Sequence, residues 1–189
     1  MKKVLAMLMA ALMVAAMFTG CGSKKAAGSS DAIKLGMSGP LTGGAAVYGT
    51  AVQAGMEIAV EEVNAKGGLQ FELNCQDDEH DTEKAANAYN ALKGWGMQIM
   101  AGPVTTAPCN VVAAECANDK IFMLTPSGSG ASIIEYGDNI FQVCFTDPNQ
   151  GTASAQYISE KKLGTKIAII WKNDDVYSKG IYQTFTEKA

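Results

Sequence analysis

Six hydroxyl side chains fall in two short uncharged loops: Thr105 and Thr106 within residues 102–108, and Thr125, Ser127, Ser129 and Ser132 within residues 125–132. A third uncharged loop, residues 38–48, precedes them and ends on Tyr48. Thr105 and Thr106 stand just before a predicted helix, where free backbone N–H groups and the helix dipole attract an anion. Hydroxyl and backbone donors there can hold a small carboxylate without lysine or arginine. Glycine, proline, serine and threonine also make ordinary turns. The chemical reading therefore rests on three such loops at one edge, not on any one of them.

Other residues invite chemistry and lead elsewhere. Asp77, Asp78, Glu79, His80 and Asp81 are consecutive, but side chains leaving a strand alternate in direction and rarely converge on one ion. A helix cap at Asp81 and solvated carboxylates near a helix start account for most of the cluster. Residues 36–40 do not form GxGxxG, and neither a P-loop nor GxSxG occurs. No catalytic residue, metal ligand or cofactor is assigned, and an enzyme is the disfavoured class.

The elements that must position the loops alternate. Strands are predicted at residues 33–37, 69–76, 98–101, 121–124, 140–145 and 167–171, with helices between them. The first helix, from about Tyr48, carries Val52, Met56, Ala59 and Val63 at helical spacing. Asp81 caps the second, whose inner stripe is Ala85, Ala88, Tyr89 and Leu92. A third runs from about Pro108 to Asn118, a fourth from about Asn149 to Lys162, and a fifth from about Ser178. This alternation argues for an α/β fold with a doubly wound parallel sheet, whose ligands bind beyond the carboxyl ends of the strands.

The chain has 189 residues, 48% of them apolar, with 15 lysines, no arginine and a net charge of -4. That is enough apolar material for a core and too little positive charge for general nucleic-acid binding. Lys2 and Lys3 precede an uncharged run, residues 4–18, that would span about 22 Å as a helix, short of the roughly 30 Å hydrocarbon core. Residues 1–20 thus read as a secretory signal and residues 21–32 as a flexible tether. Phe18-Thr19-Gly20-Cys21 resembles the lipobox of a bacterial lipoprotein signal, with Phe18 where leucine is usual. Cys21 would then carry the acyl chains that hold an exported protein at the outer face of the membrane. An exported chain could pair Cys75, Cys109, Cys116 and Cys144. Their spacing fixes no connectivity, and free thiols are expected.

Residues 39–49 (GPLTGGAAVYG), 63–68 (VNAKGG), 76–78 (QDD), 124–127 (LTPS) and 145–151 (FTDPNQG) together resemble branched-chain amino-acid-type solute-binding proteins of ABC importers. The resemblance covers nearly everything from Ile33 onward. It implies a periplasmic-binding-protein type I fold of two α/β lobes closing on a ligand, with residues 33–147 as the first lobe and 148–189 as the start of the second. Most of the second lobe would then lie beyond Ala189, along with the acidic partner of the ligand ammonium.

By the same resemblance Thr106 is the carboxylate-binding hydroxyl and Thr105 its neighbour. Ser127 offers its carbonyl to the ammonium, and Ser129 contacts the head group. Tyr48 and Tyr177 wall the side-chain pocket. Some members bridge two loops by a disulfide at the positions of His80 and Thr105, neither of which is cysteine here, so no such bridge is expected. The resemblance implies capture of an amino acid, branched-chain favoured, by a monomer that delivers it to an ABC permease. A ligand-sensing receptor domain, or a site for another neutral amino acid or small amide, is the alternative.

Overall fold

A computed structural model describes residues 32–189. The signal, Cys21 and all but the last residue of the tether lie outside the described residues. Five parallel strands form one sheet in the order β2-β1-β3-β4-β5: β1 (Ile33–Gly39), β2 (Phe71–Asp77), β3 (Ile99–Met100), β4 (Phe122–Thr125) and β5 (Ile140–Gln142). Parallel neighbours require crossovers. These are supplied by α1 (Ala46–Ala65), α2 (Thr82–Trp95) and α3 (Thr106–Asp119), with a short 3-10 helix at Ala131–Glu135 between β4 and β5. Helices α4 (Asp147–Lys161) and α5 (Val176–Lys188) follow and pack on each other.

The strand order reverses between β1 and β3. In a doubly wound sheet the crossovers part at that point and leave a crevice at the carboxyl ends. Loops 40–45 and 101–105 flank it.

The core forms where the sequence periodicity is cleanest. Ala85, Tyr89 and Leu92 of α2 meet Val112, Ala113 and Cys116 of α3 over Met100, Met123 and Ile140, all buried. The Tyr89 hydroxyl donates to Asp119 Oδ2 at 2.7 Å, and Lys93 pairs with the same oxygen, so the two helices are joined at their exposed rim. Helix α2 starts where Asp81 accepts the Lys84 N–H at 2.9 Å and stops at Gly96, whose φ of 92° suits a left-handed cap.

Two expectations need correction. Helix α1 forms, but Ala59 and Val63 of its predicted inner stripe are exposed, and only Gly49 is buried. The helix packs mainly on β1 and β2, at one edge of the sheet. Residues 167–171 are not a strand. Ile170 is fully exposed and the segment has no neighbouring strand to bond, and a strand exists only through its ladder. The four described cysteines are free, as expected, with Cys109 and Cys116 buried.

Two buried polar groups fix the loops around the crevice. Thr125 at the end of β4 is fully buried. Its hydroxyl donates to the Pro103 carbonyl at 2.6 Å and accepts the Gly128 N–H at 2.9 Å, binding the loop after β3 to the loop after β4. Close packing makes Gly128 necessary: a Cβ there would lie 2.5 Å from Cys109 Sγ and 2.9 Å from Thr125 Oγ1. Asp78, also fully buried, follows β2 and accepts the His80 N–H at 3.0 Å. Burial pushes its carboxyl up to about 6, against the pull of that hydrogen bond.

Two outcomes follow for stability. Thr125→Val keeps the shape but strands the Gly128 N–H, and it should cost about 1–3 kcal/mol in chemical denaturation, while Thr125→Ser restores most of it. Asp78 holds its proton more tightly folded than unfolded, so its contribution favours the fold at low pH and is lost as pH rises from about 4 through about 6. Asp78→Asn should flatten that decline and raise stability above pH 6 by up to roughly 3 kcal/mol. An unchanged pH profile of the melting temperature would contradict this.

Candidate functional site

A cleft of about 410 Å³ opens at the carboxyl edge of the sheet. Each wall comes from a different connection. Ala45 and Tyr48 arrive with the start of α1, Val104, Thr105 and Thr106 after β3, and Pro126, Ser127 and Ser129 after β4. Cys144 and Phe145 come after β5, and Asp175 and Tyr177 at the start of α5. All six residues expected to contact ligand line this one cleft.

Tyr48 is placed by a close approach of backbone. The helix turn that carries it packs Gly49 directly on the Pro40 carbonyl, with no room for a Cβ. Both tyrosines stay largely exposed, Tyr48 at 60% and Tyr177 at 40%, so their rings are available to an apolar group in the cleft. The Asp175 side chain caps α5 by accepting the Ser178 N–H at 3.3 Å, and Tyr177, in the first turn, lines the cleft.

The hydroxyls have defined polarities. Thr106, the first residue of α3, is 4% exposed, and its Oγ1 accepts the Gly130 N–H at 3.3 Å. That bond uses a lone pair and leaves the hydroxyl proton free to donate. The first-turn N–H groups of a helix lack intrahelical acceptors. Pro108 has none, so Thr106 and Ala107 supply the α3 donors. Thr105 is the N-cap but makes no side-chain cap bond; its hydroxyl lies 2.9 Å from His80 Nδ1. Ser129 is buried, and its carbonyl accepts the Asp147 N–H at 2.9 Å. Burial raises the Asp147 carboxyl above the usual range, the Ser129 hydroxyl draws it back and the Asp175 charge adds to the rise.

Sequence reasoning left out His80, Cys144, Phe145 and Asp175 as lining residues. His80 had one usable signal: it follows a strand at the same carboxyl edge as the three loops. The acidic run around it is a turn former more than a solvated face. Asp77 accepts from the Leu41 N–H at 2.8 Å and the Glu79 N–H at 2.9 Å, which ties the first loop to this turn.

The lining carries one imidazole, one carboxylate and no lysine. Cys144 Sγ donates to the Gly128 carbonyl at 3.1 Å, and burial raises its thiol, the opposite of what activates a nucleophile. Among the described residues no cluster of histidine, cysteine and acids could hold a metal. A larger depression of about 710 Å³ on α4, around Phe145, Ala153 and Tyr157, shares Phe145 with the cleft but none of the loop hydroxyls.

The cleft thus joins hydroxyl and backbone donors with the rings of Tyr48, Phe145 and Tyr177. A Leu/Ile/Val-binding protein, BraC3 of Rhizobium johnstonii, is 31% identical over 157 residues, which is 81% of this chain and 42% of that protein. The branched-chain amino acid transporter substrate-binding protein LivJ of Streptococcus pneumoniae, solved with isoleucine, superposes with a TM-score of 0.78 at 30% identity, covering 83% of this chain and 46% of that one. A solute-binding protein of an ABC transporter from Rhodopseudomonas palustris, solved with p-hydroxybenzoic acid, gives 0.74 at 25% identity over 84% of this chain and 43% of that one. The chain spans less than half the length of these relatives. The family model for periplasmic binding proteins matches residues 32–189, and the chain belongs to that family.

Proposed function

We propose that this protein is an extracytoplasmic solute-binding protein that captures an amino acid, branched-chain favoured, and presents it to an ABC permease. It would be exported by the signal in residues 1–20 and held at the outer face of the membrane through acyl chains on Cys21. The observation that carries the ligand reading is Thr106: a buried hydroxyl at the first position of α3, with its lone pair engaged and its proton free, on the wall of a cleft without lysine or arginine. A carboxylate there takes that proton, the α3 dipole and the first-turn N–H groups together. Ser127 and Ser129 line the same cleft and would serve the head group. Tyr48 and Tyr177 accept an aliphatic side chain without a polar demand.

Binding without bond-making is the work such a site can do. Tyr48 and the loop hydroxyls belong to the sheet edge, whereas Tyr177 comes from α5. A ligand touching both favours the arrangement in which they are close, and a permease that recognises that arrangement receives the signal. An aromatic carboxylate is the rival ligand, favoured by the two tyrosines and Phe145. Asp175 favours the amino acid, because an ammonium gains from a carboxylate on the lining where a benzoate does not.

Calorimetry with leucine, isoleucine, valine and p-hydroxybenzoate separates these readings. The aliphatic amino acids should bind tightest, and binding of p-hydroxybenzoate alone would overturn the amino-acid assignment. Thr106→Val should weaken binding roughly 10- to 100-fold, the loss of one hydrogen bond to a charged group. An unchanged affinity would remove Thr106 from the site.

A further inference from the structure

Glu79 and His80 are consecutive residues with left-handed backbone, φ 50° and 62°. Side chains other than glycine rarely adopt this conformation, and a surrounding structure must hold it. Here two carboxylates do so: Asp77 Oδ1 accepts the Glu79 N–H at 2.9 Å and Asp78 Oδ1 the His80 N–H at 3.0 Å. The Asp78 carbonyl takes the Asp81 N–H at 2.8 Å and closes the turn. The kink ends with the His80 ring in the cleft wall, Nδ1 2.9 Å from Thr105 Oγ1.

The direction of that hydrogen bond decides what Thr105 offers a ligand. A hydroxyl has one proton and two lone pairs. When His80 is neutral with its proton on Nε2, Nδ1 must accept, the Thr105 proton is consumed, and only lone pairs face a carboxylate. When both ring nitrogens are protonated, Nδ1 donates to Oγ1 and the Thr105 proton is released toward the cleft. The imidazolium also adds a positive charge to a lining that has no lysine.

We propose that His80 and Thr105 are a proton-linked part of the ligand site, so that binding of a carboxylate ligand takes up a proton at His80 and tightens as the pH falls. This rests on the carboxylate reading given above. Starting from the Nε2–H tautomer, protonation reverses the His80–Thr105 bond, and the ligand carboxylate then accepts from Thr105 as well as Thr106. By linkage, a ligand that prefers the protonated imidazole draws a proton from solvent.

Other titratable groups surround the ring. Asp77, Asp78, Glu79 and Asp81 belong to its own turn, with Glu79 paired to Lys84 at 2.6 Å. Asp175 and the phenols of Tyr48 and Tyr177 line the same cleft from other elements, and Asp147 lies beside Ser129. Burial pushes the Asp78 carboxyl up to about 6. An Asp78→Asn variant therefore separates its contribution from that of His80.

The test is titration calorimetry of L-isoleucine on the full chain at pH 5.5, 6.5 and 7.5, in two buffers of different ionisation heat at each pH. The wild type should bind about five-fold more tightly at the lowest pH than at the highest and show proton uptake in the buffer comparison. His80→Gln should bind with nearly constant affinity and no uptake, while Asp78→Asn keeps the wild-type slope. A flat wild-type profile without uptake, or a full slope in His80→Gln, overturns the proposal. Failure of isoleucine, leucine and valine to bind at any pH overturns the amino-acid reading and this coupling with it. His80 is the sole histidine of the chain, so imidazole NMR of the wild type gives a readout that needs no variant. Its titration should move to higher pH on adding isoleucine, and an unmoved titration contradicts the proposal.

Discussion

One buried hydroxyl holds the site in shape. Thr125 Oγ1 donates to Pro103 and accepts from Gly128, and so sets the distance between the two loops that carry Thr105, Thr106, Ser127 and Ser129. Cys109 reinforces the knot from beneath, with Sγ 3.1 Å from the Pro103 carbonyl and 3.3 Å from Thr125 Oγ1. Low dielectric makes such a bond strong and its loss costly. Loops rich in glycine and serine would otherwise sample many conformations. Tied at one internal point, they present fixed donors without any lysine or arginine to do so.

The placement of that knot follows from topology. Strand order β2-β1-β3-β4-β5 puts β1 and β3 side by side with their crossovers diverging. The loops after β1, β3 and β4 then border one crevice, and α3 begins there with first-turn N–H groups that have no intrahelical acceptor. The turn after β2 reaches the same crevice only because Glu79 and His80 adopt left-handed backbone. Two aspartates hold that conformation, one of them buried at a cost that grows as the pH rises.

Much of this was legible in the residues. The stripe Ala85, Ala88, Tyr89 and Leu92 marked α2 because a 3.6-residue period facing one core has no other reading. Thr105 and Thr106 were visible as donors because an uncharged Gly-Pro-Val-Thr-Thr run precedes an apolar helix. Thr125 was not singled out: within Leu-Thr-Pro-Ser its hydroxyl looked like turn chemistry, and only the third dimension shows Pro103 beneath it. His80 was lost in an acidic run whose role depends on two backbone angles that composition does not reveal. Residues 167–171 read as a strand on β-branched content alone, but pairing is a property of neighbours and none lies alongside. The exposed half of the α1 stripe has the same origin, since amphipathicity states which face is apolar and not what covers it.

The central claim is that the uncharged edge at the start of α3 holds a carboxylate. A crystal structure of the protein grown with L-isoleucine tests it most directly. The account predicts the ligand carboxylate within about 3 Å of Thr106 Oγ1 and of an N–H in the first turn of α3, with the side chain between Tyr48 and Tyr177. A carboxylate pointing to solvent, or a ligand seated on α4 instead, would contradict it.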